Sequence, residues 1–144
     1  MTGCRKKKEG KGPVEQSFET TIKIEREEPP LVPCSEGAFS GENLDSALEA
    51  CNAAAEEEPE NGTARYYRGF VLYHKERYLE AEQDFTAAIE FGSSRLAESY
   101  YQRGACKERQ RRLREAASDF KKANELKPEW SAARRKVDEY QWAF

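Results

Sequence analysis

A chain of 144 residues is long enough for one domain, and 35% charged against 38% hydrophobic residues favours stacked small repeats over one large core. The formal net charge of −3 gives no steer towards nucleic acid or anionic membrane, and no apolar run approaches the roughly 20 residues that span a bilayer. Cys4, Cys34, Cys51 and Cys106 are scattered without C-x-x-C spacing and His74 is the single histidine, which argues against a metal site and for reduced thiols in a cytosolic or nuclear protein.

Residues 1–33 are polar, charged and interrupted by Pro13, Pro29, Pro30 and Pro33, so they are expected to form a disordered tail. Arg5-Lys6-Lys7-Lys8 reads as a solvated charge run, a nuclear import signal, or a lipid-facing patch beside an acylated Cys4. Ile22-Lys23-Ile24-Glu25 is similar to the attachment consensus for a small ubiquitin-like modifier on Lys23; the alternation Thr20, Ile22, Ile24 equally fits a stub of strand. Residues 34–62 carry eight acidic side chains and no Lys or Arg. Within them, Leu44, Ala47, Leu48, Cys51 and Ala54 or Ala55 form a stripe at helical spacing, predicting a helix over 42–57. A helix before it is disfavoured by the prolines, leaving a turn at most over 35–40.

The next 65 residues say the same thing twice. Gly69 to Gly104, Ala81 to Ala116, Phe85 to Phe120 and Ala88 to Ala123 are each 35 residues apart. A period of this size predicts stacked helical hairpins. Helices are expected over 63–75 and 78–91, then 96–110 and 113–126, with Gly92-Ser93-Ser94 as the turn between units and Pro128 ending the second. A mid-helix Gly costs up to about 1 kcal/mol against Ala, which makes sense at Gly69 and Gly104 if another helix approaches closely there. Residues 129–144 place Ala133, Val137, Tyr140 and Phe144 on one face and read as a capping helix, with Trp142 off that face and exposed.

The order Gly69, Ala81, Phe85, then Gly104, Ala116, Phe120 and Pro128 resembles the tetratricopeptide repeat family, over residues 62–128 and more weakly over 42–61 and 129–144. The resemblance implies an all-α, short right-handed solenoid of antiparallel helix pairs. Its units would be a half repeat at 34–61, repeats at 62–95 and 96–128, and a capping helix at 129–144. It also implies a concave groove lined by the first helix of each pair, a non-catalytic adaptor that binds a protein or peptide, and no cofactor. The sequence departs from the family pattern at Arg65 and Tyr100, where Trp is usual, and at Arg68 and Arg103, where Leu precedes the glycine.

The groove candidates are Tyr66, Phe70 and Tyr73, which share a helix face, with Tyr101, Gln102 and Arg109 from the next unit. Buried core and binding surface both fit such an aromatic stripe. The alternative function is a co-chaperone that captures the acidic C-terminal peptide of heat-shock chaperones. The family's carboxylate clamp would need Lys and Asn where this chain has Tyr66 and Phe70, Asn at Gln102, Lys at Ala132, and a base that Lys136 supplies. A third reading is nucleic-acid binding by the basic stretch 103–114, interrupted by Glu108. His74 reads as a groove residue or a surface histidine. An exposed Trp142 would mark self-association through the C-terminal helix.

Overall fold

The structure, a computed structural model, describes residues 31–144. The tail motifs around Cys4 and Lys23 therefore lie outside the described residues. Seven α-helices follow in order: α1 (Leu31–Ser40), α2 (Leu44–Glu57), α3 (Gly62–His74), α4 (Tyr78–Glu90), α5 (Leu96–Arg109), α6 (Leu113–Leu126) and α7 (Ser131–Glu139), then a single 3-10 turn at Gln141–Ala143. Asn43 caps α2 by accepting from the Ser46 amide, and Asn61 caps α3 by accepting from Thr63 and Ala64. Helices pair as α1 with α2, α3 with α4 and α5 with α6; each pair packs on the next, and α7 lies on α6.

The 35-residue offset extends to the backbone. α3 ends with the Arg77 amide donating to Leu72 and Glu76 in left-handed conformation (φ 63°). α5 ends with Arg112 donating to Lys107 and Arg111 at φ 66°. These are matching Schellman closures, and they set the tight turns inside the α3–α4 and α5–α6 pairs. Between pairs, Gly92 takes the positive φ (78°) that the chain needs to leave α4.

α1 corrects the expectation of no more than a turn. Pro33 stands in its first turn, where the backbone nitrogen has no intrahelical acceptor to lose, so the proline is tolerated there. Residues 31–33, assigned to the tail from sequence, belong to this helix. A Cβ on Gly37 would sit 2.6 Å from that of Ala47, so α1 crosses α2 at a glycine as α3 crosses α4. The close approach brings Cys34 and Cys51 to a Cα separation of 4.6 Å and they form a disulfide. This corrects the reading of four reduced thiols, since pairing depended on a helix the prolines had argued against. Cys106 is a free thiol, buried on α5, and burial pushes it up to about 12, which leaves it without nucleophilic character.

A Cβ on Gly69 would meet the Phe85 ring at 3.0 Å, and one on Gly104 would meet Phe120 at 2.9 Å and the Ala116 carbonyl at 3.1 Å. Phe85 and Phe120 are fully buried against these glycines, worth about 1.5–3 kcal/mol each. Gly104→Leu is expected to destabilise by about 1–3 kcal/mol in urea unfolding. Gly69→Leu is expected to cost less, because its neighbours are side-chain atoms and no backbone carbonyl is among them.

The pairs α3–α4 and α5–α6 are each also fastened by a buried carboxylate. Asp84, 3% exposed, accepts from Arg68 Nε and Nη2 at 2.8 and 2.9 Å, and Arg65 stands 3.4 Å away. Asp119, 4% exposed, repeats this with Arg103 at 2.9 and 2.8 Å, and Lys107 lies 3.0 Å away. Each arginine also reaches the preceding pair: Arg68 donates to Asn52 of α2, and Arg103 to Thr86 of α4. The arginines in place of the family's Leu are thus structural clamps across three helices. At the far end, Ala133 and Tyr140 are buried, but Phe144 is 57% exposed over Lys121. α7 stops at Glu139, and the 3-10 turn breaks the 3.6-residue register that would have carried Phe144 inward.

Candidate functional site

Phe70, Tyr73 and His74 are spaced i, i+3 and i+4 on α3 and share one face. α1 adds Phe39 to them. The rings form a chain of contacts: Phe39 to Phe70 at 5.5 Å, Phe70 to His74 at 4.7 Å, and His74 to Tyr73 at 5.5 Å. Arg95, in the turn just before α5, and Arg109, at the end of α5, close the strip. Arg95 lies 5.5 Å over the Phe39 ring, and Arg109 lies 5.7 Å over Tyr73 while donating to the Tyr78 hydroxyl at 3.0 Å. Such cation–π pairs orient a guanidinium without neutralising it. Phe39 is 53% exposed, Phe70 and Tyr73 are half-buried, and His74 and Arg109 are exposed. Burial raises the Tyr73 phenol against the pull of Arg109, so its hydroxyl stays neutral and able to donate.

Of the candidates read from sequence, Phe70, Tyr73 and Arg109 fall on this strip. Tyr66 does not. It is 3% exposed, its ring meets Phe85 at 5.7 Å and Tyr67 at 5.4 Å, and burial pushes its phenol up to about 12. It faces the partner helix of its own pair and belongs to the core. Tyr101, one period on, repeats that role, half-buried at 5.2 Å from Phe120 and 4.7 Å from Trp130. Gln102 is half-buried on α5, and none of the strip contacts above involves it. Phe39 and Arg95 were missed. Phe39 required α1, and Arg95 sits in a turn that no helical face could single out.

The basic stretch 103–114 does not form one open patch. Arg103 and Lys107 point at Asp119, and Arg112 is shared between Glu82 and Glu115. Arg111 and Arg114 remain exposed, Arg114 beneath the Trp142 ring. Lys136 bonds Glu108 at 2.8 Å, and Glu108 also accepts from the Tyr140 hydroxyl. Trp142 is exposed, as its place off the apolar face predicts. Among the described residues no group of His, Cys, Asp and Glu is placed to hold a metal, and no helix is long and apolar enough to cross a membrane.

No family model and no curated protein sequence matches the chain. Solved structures do. The TPR domain of Arabidopsis OM64 superposes with a TM-score of 0.72 at 24% identity, covering 81% of this chain and 98% of that one. The first TPR of Spaghetti (RPAP3), bound to the HSP90 peptide SRMEEVD, gives 0.70 at 22% identity over 80% and 92%. The second TPR domain of human RPAP3, in complex with the HSP70 peptide SGPTIEEVD, gives 0.66 at 21% over 90% and 98%. The chain is an all-α helical-repeat protein with the tetratricopeptide-repeat fold.

Proposed function

We propose that the chain is a non-catalytic adaptor that captures a short apolar or aromatic peptide segment carrying an acidic group. The observation that carries this reading is the strip from Phe39 to Tyr73, half open to solvent and flanked by Arg95 and Arg109. Aromatic residues and arginine are enriched among residues that dominate binding energy. Two guanidiniums held over rings offer fixed positive charge to a carboxylate at either end. Peptide capture by the similar RPAP3 domains supports a protein partner as the ligand class.

The chaperone-peptide alternative is the weaker reading. Lys136, the one matching clamp residue, is engaged by Glu108 and Glu139. With α1 present, the first repeat begins one pair earlier, and the positions three before and one after Gly37 are the disulfide-bonded Cys34 and the buried Ala38. Tyr67, two before Gly69, is buried. Neither register assembles a carboxylate clamp.

The test is calorimetric titration of aromatic–acidic peptides selected on the full chain, with a peptide ending in Glu-Glu-Val-Asp as comparator. Phe70→Ala plus Arg109→Ala is expected to weaken binding of the selected peptides at least tenfold while Leu79→Ala, at an exposed site on α4, leaves it intact. The comparator is expected not to bind. Micromolar comparator binding that is lost on Lys136→Ala would favour the chaperone reading instead.

A further inference from the structure

α1 depends on its neighbours for its stability. It is ten residues long and contains Pro33 and Gly37, and its first turn carries no acidic side chain. A helix this short is marginal alone. Its fully buried residues are small, Cys34 and Ala38, with Leu31 partly buried against the same core, whereas α3 buries Tyr66, Tyr67, Val71 and Leu72. Phe39, its one large side chain in contact with the strip, is more than half exposed. The bond from Cys34 to Cys51, across a separation of 17 residues, adds a covalent tether between α1 and α2 to that packing. That same helix delivers Phe39 to Tyr67 and Phe70 at 5.5 Å each and places it under Arg95.

We infer that the Cys34–Cys51 disulfide is a redox-controlled staple on the peptide strip. Formed, it holds Phe39 in the strip; reduced, it releases α1 and takes Phe39 away. This rests on the adaptor reading above and names its regulation. Closure consumes one low-molecular-weight disulfide: the two thiols lose two protons and two electrons, one protein S–S bond forms, and two small thiols are released. Opening is the reverse, with two small thiols as reductant. Both cysteines are buried, so exchange proceeds through transient opening of α1.

The experiment uses the full chain carrying Cys4→Ser, equilibrated in a reduced–oxidised glutathione series, with alkylation mass analysis, hydrogen exchange and titration of a selected aromatic–acidic peptide. The oxidised form is expected to show the 34–51 pair, with Cys106 unmodified. Reduction should speed exchange of the α1 amides at least tenfold and leave α5 and α6 unchanged. Cys34→Ser plus Cys51→Ser should match the reduced form throughout the series. Unchanged α1 exchange on reduction, or a pair that never exchanges with glutathione in the folded protein, overturns the inference. So does loss of protection across α3 to α6, which would make the bond a brace for the whole fold. Release of α1 with peptide binding unchanged would keep the staple and overturn the placement of Phe39 in the binding strip.

Discussion

Replacing Asp84 by alanine is expected to destabilise the protein by about 3–5 kcal/mol, the range for breaking a buried ion pair by removing one partner. The carboxylate is 3% exposed and holds the Arg68 fork through two bonds, with Arg65 also within 3.4 Å. Its removal leaves Arg68 and Arg65 without the anion they share. Arg68 keeps some access to water, which places the expected cost at the lower end of that range. The double replacement Arg68→Met with Asp84→Leu should recover most of the loss, because an apolar pair incurs no desolvation penalty. Urea unfolding of both variants checks this. A single variant as stable as the parent would show that the ion pair is not a clamp across α2, α3 and α4.

Tyr66→Ala is expected to cost about 3 kcal/mol or more, in line with truncating a buried aromatic. The ring touches Phe85, Tyr67 and Phe70, so deletion opens a cavity bounded by rigid aromatic neighbours. Phe70→Ala, at a half-buried position, is expected to cost clearly less while removing peptide capture. The two variants separate core from binding surface on one helix. Thermal unfolding read alongside peptide titration decides it: equal destabilisation would place Phe70 in the core with Tyr66.

The solenoid was legible because its period is written in small and aromatic residues. Gly69 and Gly104 announce helix crossings, and Phe85 and Phe120 fill them. The same 35-residue offset also carried Asp84 and Asp119, each one position before a repeated Phe, and Arg68 and Arg103 to match them. That buried ion-pair ladder was thus present in the sequence as a pattern. Charged residues on helices read by default as solvated faces, and only the fold shows which of them turn inward.

The first repeat was not legible in the same way. Proline is a helix breaker by composition, and only its position in the first turn makes Pro33 harmless. Missing α1 hid three further things together: the partner of Cys51, the crossing at Gly37 and the contribution of Phe39 to the strip. The stripe Tyr66, Phe70, Tyr73 was found by helical spacing, but a helix packed on two sides buries part of any such stripe. Which part depends on the neighbouring helices and is not encoded in the spacing.

Amide NMR reads, residue by residue, whether the strip between Arg95 and Arg109 captures an aromatic and acidic peptide. A peptide enriched on the full chain from a random heptamer library would be titrated into labelled protein. Micromolar binding is expected, with the largest shifts at Phe39, Phe70, Tyr73, His74 and Arg109, and with selected sequences rich in aromatic and acidic residues. Shifts centred on Leu79 or Trp142, with the strip unperturbed, would contradict it.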